Sequence, residues 1–170
     1  MRKLQILKTC IDLIYFFGIF TLIGMCIFVP MAIFGEGDFP VTVRGQEIQV
    51  VDWGTKLLLA FILASAITFF YAILLLRRTL EFFRKRDVFN PQVISNLNRI
   101  GWCIVASALL TGIPMLAYNV VKRPKTGFEI SAGLGMDSFM MSVSLGLLFM
   151  VIAEAFRMAK QLKDENELVI

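Results

Sequence analysis

Residues 77–99, RRTLEFFRKRDVFNPQVISNLNR, determine how the rest of this chain is arranged. They form the only long polar-rich connection between two apolar runs that also carries a dense positive cluster. The apolar runs on both sides are long enough to cross a bilayer, which takes about 20 residues of helix. We therefore expect pairs of membrane-spanning helices before and after this stretch, which we call the elbow.

The composition places the chain in the membrane class. Of its 170 residues, 58% are hydrophobic, 18% are charged and none is histidine. Without histidine, the chain lacks the commonest general base and the commonest metal ligand. Its three cysteines form no CxxC motif, and the chain has no nucleophile–base pair, phosphate-binding loop or metal-ligand spacing. We therefore expect a non-enzymatic protein without a cofactor or metal.

The apolar runs predict an all-α membrane protein, a single four-transmembrane-helix bundle over residues 1–170. The predicted spans are about 11–34, 57–76, 100–118 and 138–156, and the outer loops are 35–55 and 119–137. The first outer loop contains PVTVRGQEIQVVDW, in which apolar and polar residues alternate around Arg44 and Gly45. This alternation predicts a small extracytoplasmic β-hairpin cap, to which GFEIS at 127–131 is a candidate third strand.

The positive residues predict the orientation of the spans. Three lysines and arginines lie at the N-terminus, six in the elbow and three after residue 156, which makes twelve, against five in the two outer connections. The positive-inside rule then places both termini and the elbow in the cytoplasm. In the elbow, LRRTLEFFRKR predicts a helix continuing beyond the second span, along the headgroups. Asn90 and Pro91 predict the cap and first position of the next helix.

Small side chains at every fourth position predict the faces on which the helices pack. They occur in the second, third and fourth spans: Ala60, Ala64, Thr68 and Ala72; Ala108 and Gly112; Ser138, Ser142 and Gly146.

Four charged residues at the predicted cytoplasmic ends of the spans are Asp12, Arg99, Glu154 and Arg157. They lie at similar predicted depth, which predicts one cluster of two acids and two bases. A structural clasp is the simpler interpretation. The alternative is a small transporter or channel subunit that uses Asp12, Arg99 and Glu154. A conducting path would need polar groups through the bilayer centre, where the sequence supplies hydroxyls but no acid: Thr21, Ser65, Thr68, Ser107, Thr111, Ser142 and Ser144.

Two segments resemble a known family. VFNPQVISNLNRIGW (residues 88–102) and SLGLLFMVIAEAFRMAKQLKDENELVI (residues 144–170) resemble the bacterial membrane family catalogued as domain of unknown function 2975. The resemblance implies an integral inner-membrane protein without known enzymatic activity. Genes of this family are often found beside a small helix-turn-helix regulator, which implies a DNA-binding protein as cytoplasmic partner.

Both resembling segments face the cytoplasm in the predicted topology. The candidate residues for binding a partner, or for a structural clasp, are therefore Phe89, Asn90, Asn96, Arg99, Glu154 and Arg157. Asp12 is the candidate intramembrane charge. We also expect contact with membrane lipid and no direct binding of nucleic acid.

Overall fold

A computed structural model describes residues 2–35, 40–43, 46–49, 53–85, 89–122 and 135–167. It contains four long helices and one pair of short strands. In chain order these are α1 (Arg2–Phe34), β1 (Pro40–Val43), β2 (Gln46–Gln49), α2 (Trp53–Arg84), α3 (Pro91–Lys122) and α4 (Gly135–Glu167).

All four helices are long and apolar enough to cross a membrane. The apolar segments are Ile6–Phe34, Trp53–Arg84, Pro91–Tyr118 and Ser138–Asn166. Each contains one of the four predicted spans. The helices α2, α3 and α4 run beyond those spans as expected, since the sequence on the elbow side keeps good helix formers and has no proline before Pro91.

The strands β1 and β2 form a two-stranded antiparallel sheet. Pro40 lies opposite Gln49, and Val43 lies opposite Gln46 at the turn end. The pairing follows the alternating PVTV and QEIQ segments on either side of the Arg44–Gly45 dipeptide. The candidate third strand at 127–131 lies outside the described residues.

The helices pack in the order in which they occur in the chain. The extensive helix contacts are α1 with α2, α2 with α3, and α3 with α4, so α1 and α4 lie at the two edges of the row. One apolar cluster joins α1 to α2 through Val29, Ala32 and Leu59. A second joins α2 to α3 through Ala72, Leu75, Ile100 and Ile104.

The closest approach of α3 and α4 occurs at two glycines. A Cβ on Gly101 would lie 2.6 Å from the carbonyl oxygen of Gly146, and a Cβ on Gly146 would lie 2.8 Å from that of Gly101. Each glycine therefore leaves room for the backbone of the other helix. A Cβ on Gly112 would likewise meet the ring of Phe139 at 2.8 Å. Small residues on α3 and α4 pack between helices as predicted.

The corresponding prediction for α2 is wrong in part. Ala72 is buried, but Ala60 and Ala64 are exposed on the surface of the described structure. The buried residues in that half of α2 are instead Thr55, Leu58, Leu59 and Ser65. The physical reason is that α2 packs between two neighbours, which cover two faces of the helix and leave Ala60 and Ala64 outside both contacts.

Candidate functional site

The start of α3 in the elbow is fixed by an N-cap. The side-chain Oδ1 of Asn90 accepts a 3.0 Å hydrogen bond from the backbone N–H of Gln92, and its carbonyl oxygen accepts one of 2.9 Å from Val93. Pro91 occupies the first helical position, where no N–H is needed. The predicted roles of Asn90 and Pro91 are confirmed.

An apolar core holds both sides of the elbow against the end of α4. Its members, which we call the elbow platform, are Phe82 and Phe83 on α2, Val93 and Leu97 on α3, and Ala153 and Phe156 on α4. Val93 has no exposed surface, and the rings of Phe83 and Phe156 meet edge to face at 5.9 Å between centroids. Phe82 and Phe83 therefore pack against α3 and α4, and the position of this helix end along the headgroups stays a prediction.

Phe89 projects beside the platform and contacts the end of α4. The Nζ of Lys163 lies 5.7 Å from the centroid of the Phe89 ring, within the range of a cation–π interaction. Phe89 keeps 38% of its surface exposed. The structure thus brings the elbow turn and the C-terminal part of α4 together into one surface. Asn96 is half-buried on α3, one turn before the exposed Arg99.

The predicted cluster of two acids and two bases is wrong. Asp12 pairs with Arg77 of α2, whose Nε lies 2.7 Å from Oδ1 of Asp12. Glu154 pairs with Arg157 on its own helix, at 3.2 Å. Within the described part of the chain, Arg99 makes no ion pair. Asp12 meets Arg77 because of the order of the helices: α1 packs on α2, so a charge on α1 lies beside an arginine of α2.

This separation bears on the transport alternative. The alternative uses Asp12, Arg99 and Glu154. The structure pairs Asp12 with Arg77 and Glu154 with Arg157, whereas Arg99 has no ion pair among the described residues. No group of three or more aspartate, glutamate, cysteine or histidine side chains suited to a metal ion occurs in the described residues. The transport alternative stays a prediction.

Three hydroxyls connect α2 and α3 near the middle of their spans. The Oγ of Ser65 donates a 2.8 Å hydrogen bond to the carbonyl oxygen of Ser107, and the hydroxyl of Thr111 donates one of 2.7 Å to Ser65 Oγ. Ser107 Oγ in turn donates to the carbonyl oxygen of Ile104 at 2.9 Å. Hydrogen bonds of this kind hold helices together where water is absent.

A crevice of about 260 Å³ opens beside this network, between α2, α3 and α4. We call it the hydroxyl crevice, after the side chains that line it from the three helices: Ser65, Ser107, Thr111, Ser138 and Ser142. Ile62, Phe69 and Phe139 supply much of its apolar wall. The crevice lies away from the elbow platform, toward the end of the bundle where α4 begins.

The sequence shows the hydroxyl residues that line the crevice, but it does not show that they come together. Ser65, Ser107, Thr111 and Ser142 are visible as hydroxyls within apolar runs. Their convergence depends on the relative rotation of three helices, which spacing along one helix does not determine. A usable signal was the spacing of Ser107 and Thr111, four residues apart on one face of α3.

The fold and these sites define a multi-pass membrane protein with four candidate spans. A family model described as "Protein of unknown function (DUF2975)" matches residues 38–170, and the chain belongs to this family. The match covers β1, β2 and the helices α2, α3 and α4. No curated protein and no solved structure matches the chain.

Proposed function

We propose that this chain is a non-enzymatic bacterial inner-membrane protein that binds a cytoplasmic protein through the elbow and the C-terminal part of α4. The family resemblance favours a helix-turn-helix transcription regulator as that partner. The observation that carries the proposal is the elbow platform, because its apolar core and the Phe89–Lys163 contact join the two segments into a single ordered surface.

The helix packing supports the cytoplasmic assignment of this surface. The Asp12–Arg77 and Lys8–Glu81 pairs bring the start of α1 to the end of α2, and the platform brings the end of α4 to the same end of the molecule. Of the twelve lysines and arginines counted in the N-terminus, elbow and C-terminal segment, those that the structure describes then share one end, as the positive-inside rule requires of the cytoplasmic side. The β1–β2 hairpin, between α1 and α2, would lie on the outer side.

The C-terminal part of α4 favours a protein partner over lipid alone. From Phe156 to Glu167 the helix runs for about 16 Å at 1.5 Å per residue. Residues 161–166 are all exposed, and they include both lysine and acidic side chains. A surface of mixed charge gains little from anionic headgroups, which attract basic side chains, whereas it can pair with complementary charges on a protein.

Copurification tests this proposal. The chain is purified from its host in mild detergent with an N-terminal tag, and the accompanying soluble proteins are identified by mass spectrometry and then recombined with the purified chain. We expect a stoichiometric DNA-binding protein, whose retention Phe89→Ala reduces at least tenfold. Phe34→Ala is the matched control, because Phe34 is an exposed phenylalanine at the opposite end of α1 from the elbow.

The membrane yield and helical content of both variants are measured alongside. Equal retention of the soluble protein by Phe89→Ala and Phe34→Ala would contradict a binding surface at the elbow. Purification of the wild-type chain without any stoichiometric soluble protein would contradict the proposed function itself.

A further inference from the structure

The described lining of the hydroxyl crevice is polar but uncharged. No lysine, arginine, aspartate or glutamate is among the lining residues that the structure describes. Ser65 and Ser107 lie near the middle of the predicted spans 57–76 and 100–118, where a charged group is costly unless it is paired or hydrated. At about 260 Å³ the crevice is much larger than a single water molecule, which takes up about 30 Å³.

The hydrogen bonds show which groups the crevice offers to a ligand. The hydroxyls of Ser65, Ser107, Thr111 and Ser142 all donate within the protein, the last to the carbonyl oxygen of Ser138 at 2.8 Å. A hydroxyl has one proton to donate and two lone pairs that accept. The four protons are therefore in use, while the oxygens keep spare capacity as acceptors. A ligand that forms a hydrogen bond with one of these four hydroxyls therefore has to bring the proton.

We propose that the hydroxyl crevice binds a neutral alcohol of the bilayer, with its hydroxyl donating to the Ser65–Thr111 pair and its hydrocarbon chain against Phe69 and Phe139. An alcohol supplies the missing donor without a charge to bury. An ester or ketone of the same chain length has only acceptors and finds no free proton on these four hydroxyls. The bilayer is the source, because the crevice lies between helices that are apolar enough to span it.

Photolabelling of the full-length chain in phosphatidylcholine nanodiscs tests the proposal. The probe is a diazirine-bearing sixteen-carbon alcohol at subsaturating concentration, and cross-linked peptides are quantified by mass spectrometry. We expect labelling concentrated on the segments that contain Ile62 and Phe139. The methyl ether of the same probe, which cannot donate, should label these segments about fivefold less, the equivalent of one hydrogen bond.

Three variants separate the crevice from general lipid contact. Ser65→Ala combined with Thr111→Val removes the acceptors and should lower labelling about fivefold. Ala108→Leu keeps every hydroxyl but adds volume to the wall, and should reduce labelling at least as much. Thr68→Val is the matched control, since the Thr68 hydroxyl bonds to Ala64 of its own helix outside the crevice and its loss should leave labelling unchanged.

Circular dichroism and size-exclusion profiles confirm that each variant is folded, and Ala108→Leu provides an independent test if the double variant is not. Labelling spread evenly over the exposed faces of the helices would overturn the proposal. So would equal labelling by the alcohol and its methyl ether, or labelling unaffected by Ala108→Leu. A crevice filled by water alone, or covered by a second copy of the chain, gives no focused labelling and also overturns it.

Discussion

The carboxylate of Asp12 on α1 accepts a 2.7 Å hydrogen bond from the Nε of Arg77 on α2. The guanidinium of Arg77 also lies 4.8 Å from the centroid of the Tyr15 ring, and Tyr15 stacks on Phe70 at 5.2 Å. Arg77 of α2 thus interacts with two residues of α1, the carboxylate of Asp12 and the ring of Tyr15. Among the described helices, α1 packs extensively only on α2. The contacts of Arg77 with Asp12 and Tyr15 therefore contribute substantially to the position of α1.

Removal of the Asp12 carboxylate should weaken the attachment of α1. We expect Asp12→Ala to lower the free energy of unfolding by about 1–3 kcal/mol, because Arg77 loses a charge-assisted hydrogen bond at the edge of the span. Detergent-induced unfolding followed by helical circular dichroism measures the change. The Lys8–Glu81 pair is the control, since its 3.8 Å separation is too long for a hydrogen bond and predicts a loss of less than about 1 kcal/mol in Lys8→Ala.

Exchange of the two charges tests whether the pair itself matters. Asp12→Arg combined with Arg77→Asp should recover part of the stability that either single change removes, because opposite charges again face each other. If the double variant loses as much free energy of unfolding as the two single variants together, the two residues act independently.

A methyl group at the glycine crossing should separate α3 from α4. We expect Gly146→Ala to cost about 1–3 kcal/mol, because the new Cβ meets the Gly101 carbonyl oxygen at 2.8 Å and a methyl of Val105 at 2.7 Å. Gly24→Ala is the matched control. It lies on α1, a Cβ there meets nothing within 4 Å, and alanine is the better helix former, so the variant should be as stable as the wild type or more so. Equal midpoints of unfolding for the two variants would contradict a tight crossing.

Loss of the Asn90 cap should fray the first turn of α3. We expect Asn90→Ala to cost about 0.5–2 kcal/mol, because the amide of Gln92 loses its acceptor. Hydrogen exchange at Gln92 and Val93 should accelerate, whereas Asn98→Ala, at an exposed position on the same helix, should leave it unchanged. Asn90→Asp keeps an acceptor and should retain the slow exchange. If it does not, the side-chain cap is not what protects this turn.

Cysteine labelling tests the proposed topology. In a background with Cys10, Cys26 and Cys103 replaced by alanine, Lys163→Cys should resist an impermeant maleimide in intact spheroplasts and react after permeabilisation. Gln49→Cys in β2 should react in both states, because the hairpin lies on the outer side in the proposed topology. The reverse pattern would invert the topology and place the elbow platform outside the cell.

The long helices and the start of α3 were predictable because each depends on local sequence. Apolar length specifies a helix that can span a membrane, and Asn90 followed by Pro91 specifies where α3 begins. These features need no knowledge of neighbouring helices. The alternation around residues 44–45 is equally local, and the strands β1 and β2 lie on either side of that dipeptide.

The pairing of charges was not predictable because depth along a helix does not specify the neighbouring helix. Asp12, Arg99 and Glu154 share a predicted depth, yet Asp12 meets Arg77, which the sequence presents as one of six positive residues in the elbow. The same limit explains why the grouping of the crevice residues was not predictable. Ser65 and Thr111 belong to different helices, and only the rotation of each about its axis brings their hydroxyls to 2.7 Å.

The order of the helices has a consequence for how the chain assembles during synthesis. Each helix after α1 packs extensively on the one made immediately before it: α2 on α1, α3 on α2, and α4 on α3. No described helix has to wait in the bilayer for a distant segment to emerge from the ribosome, and the contacts stay local in sequence, which favours rapid folding. The fourth helix, α4, also completes the elbow platform, so that surface becomes whole only when α4 has been made.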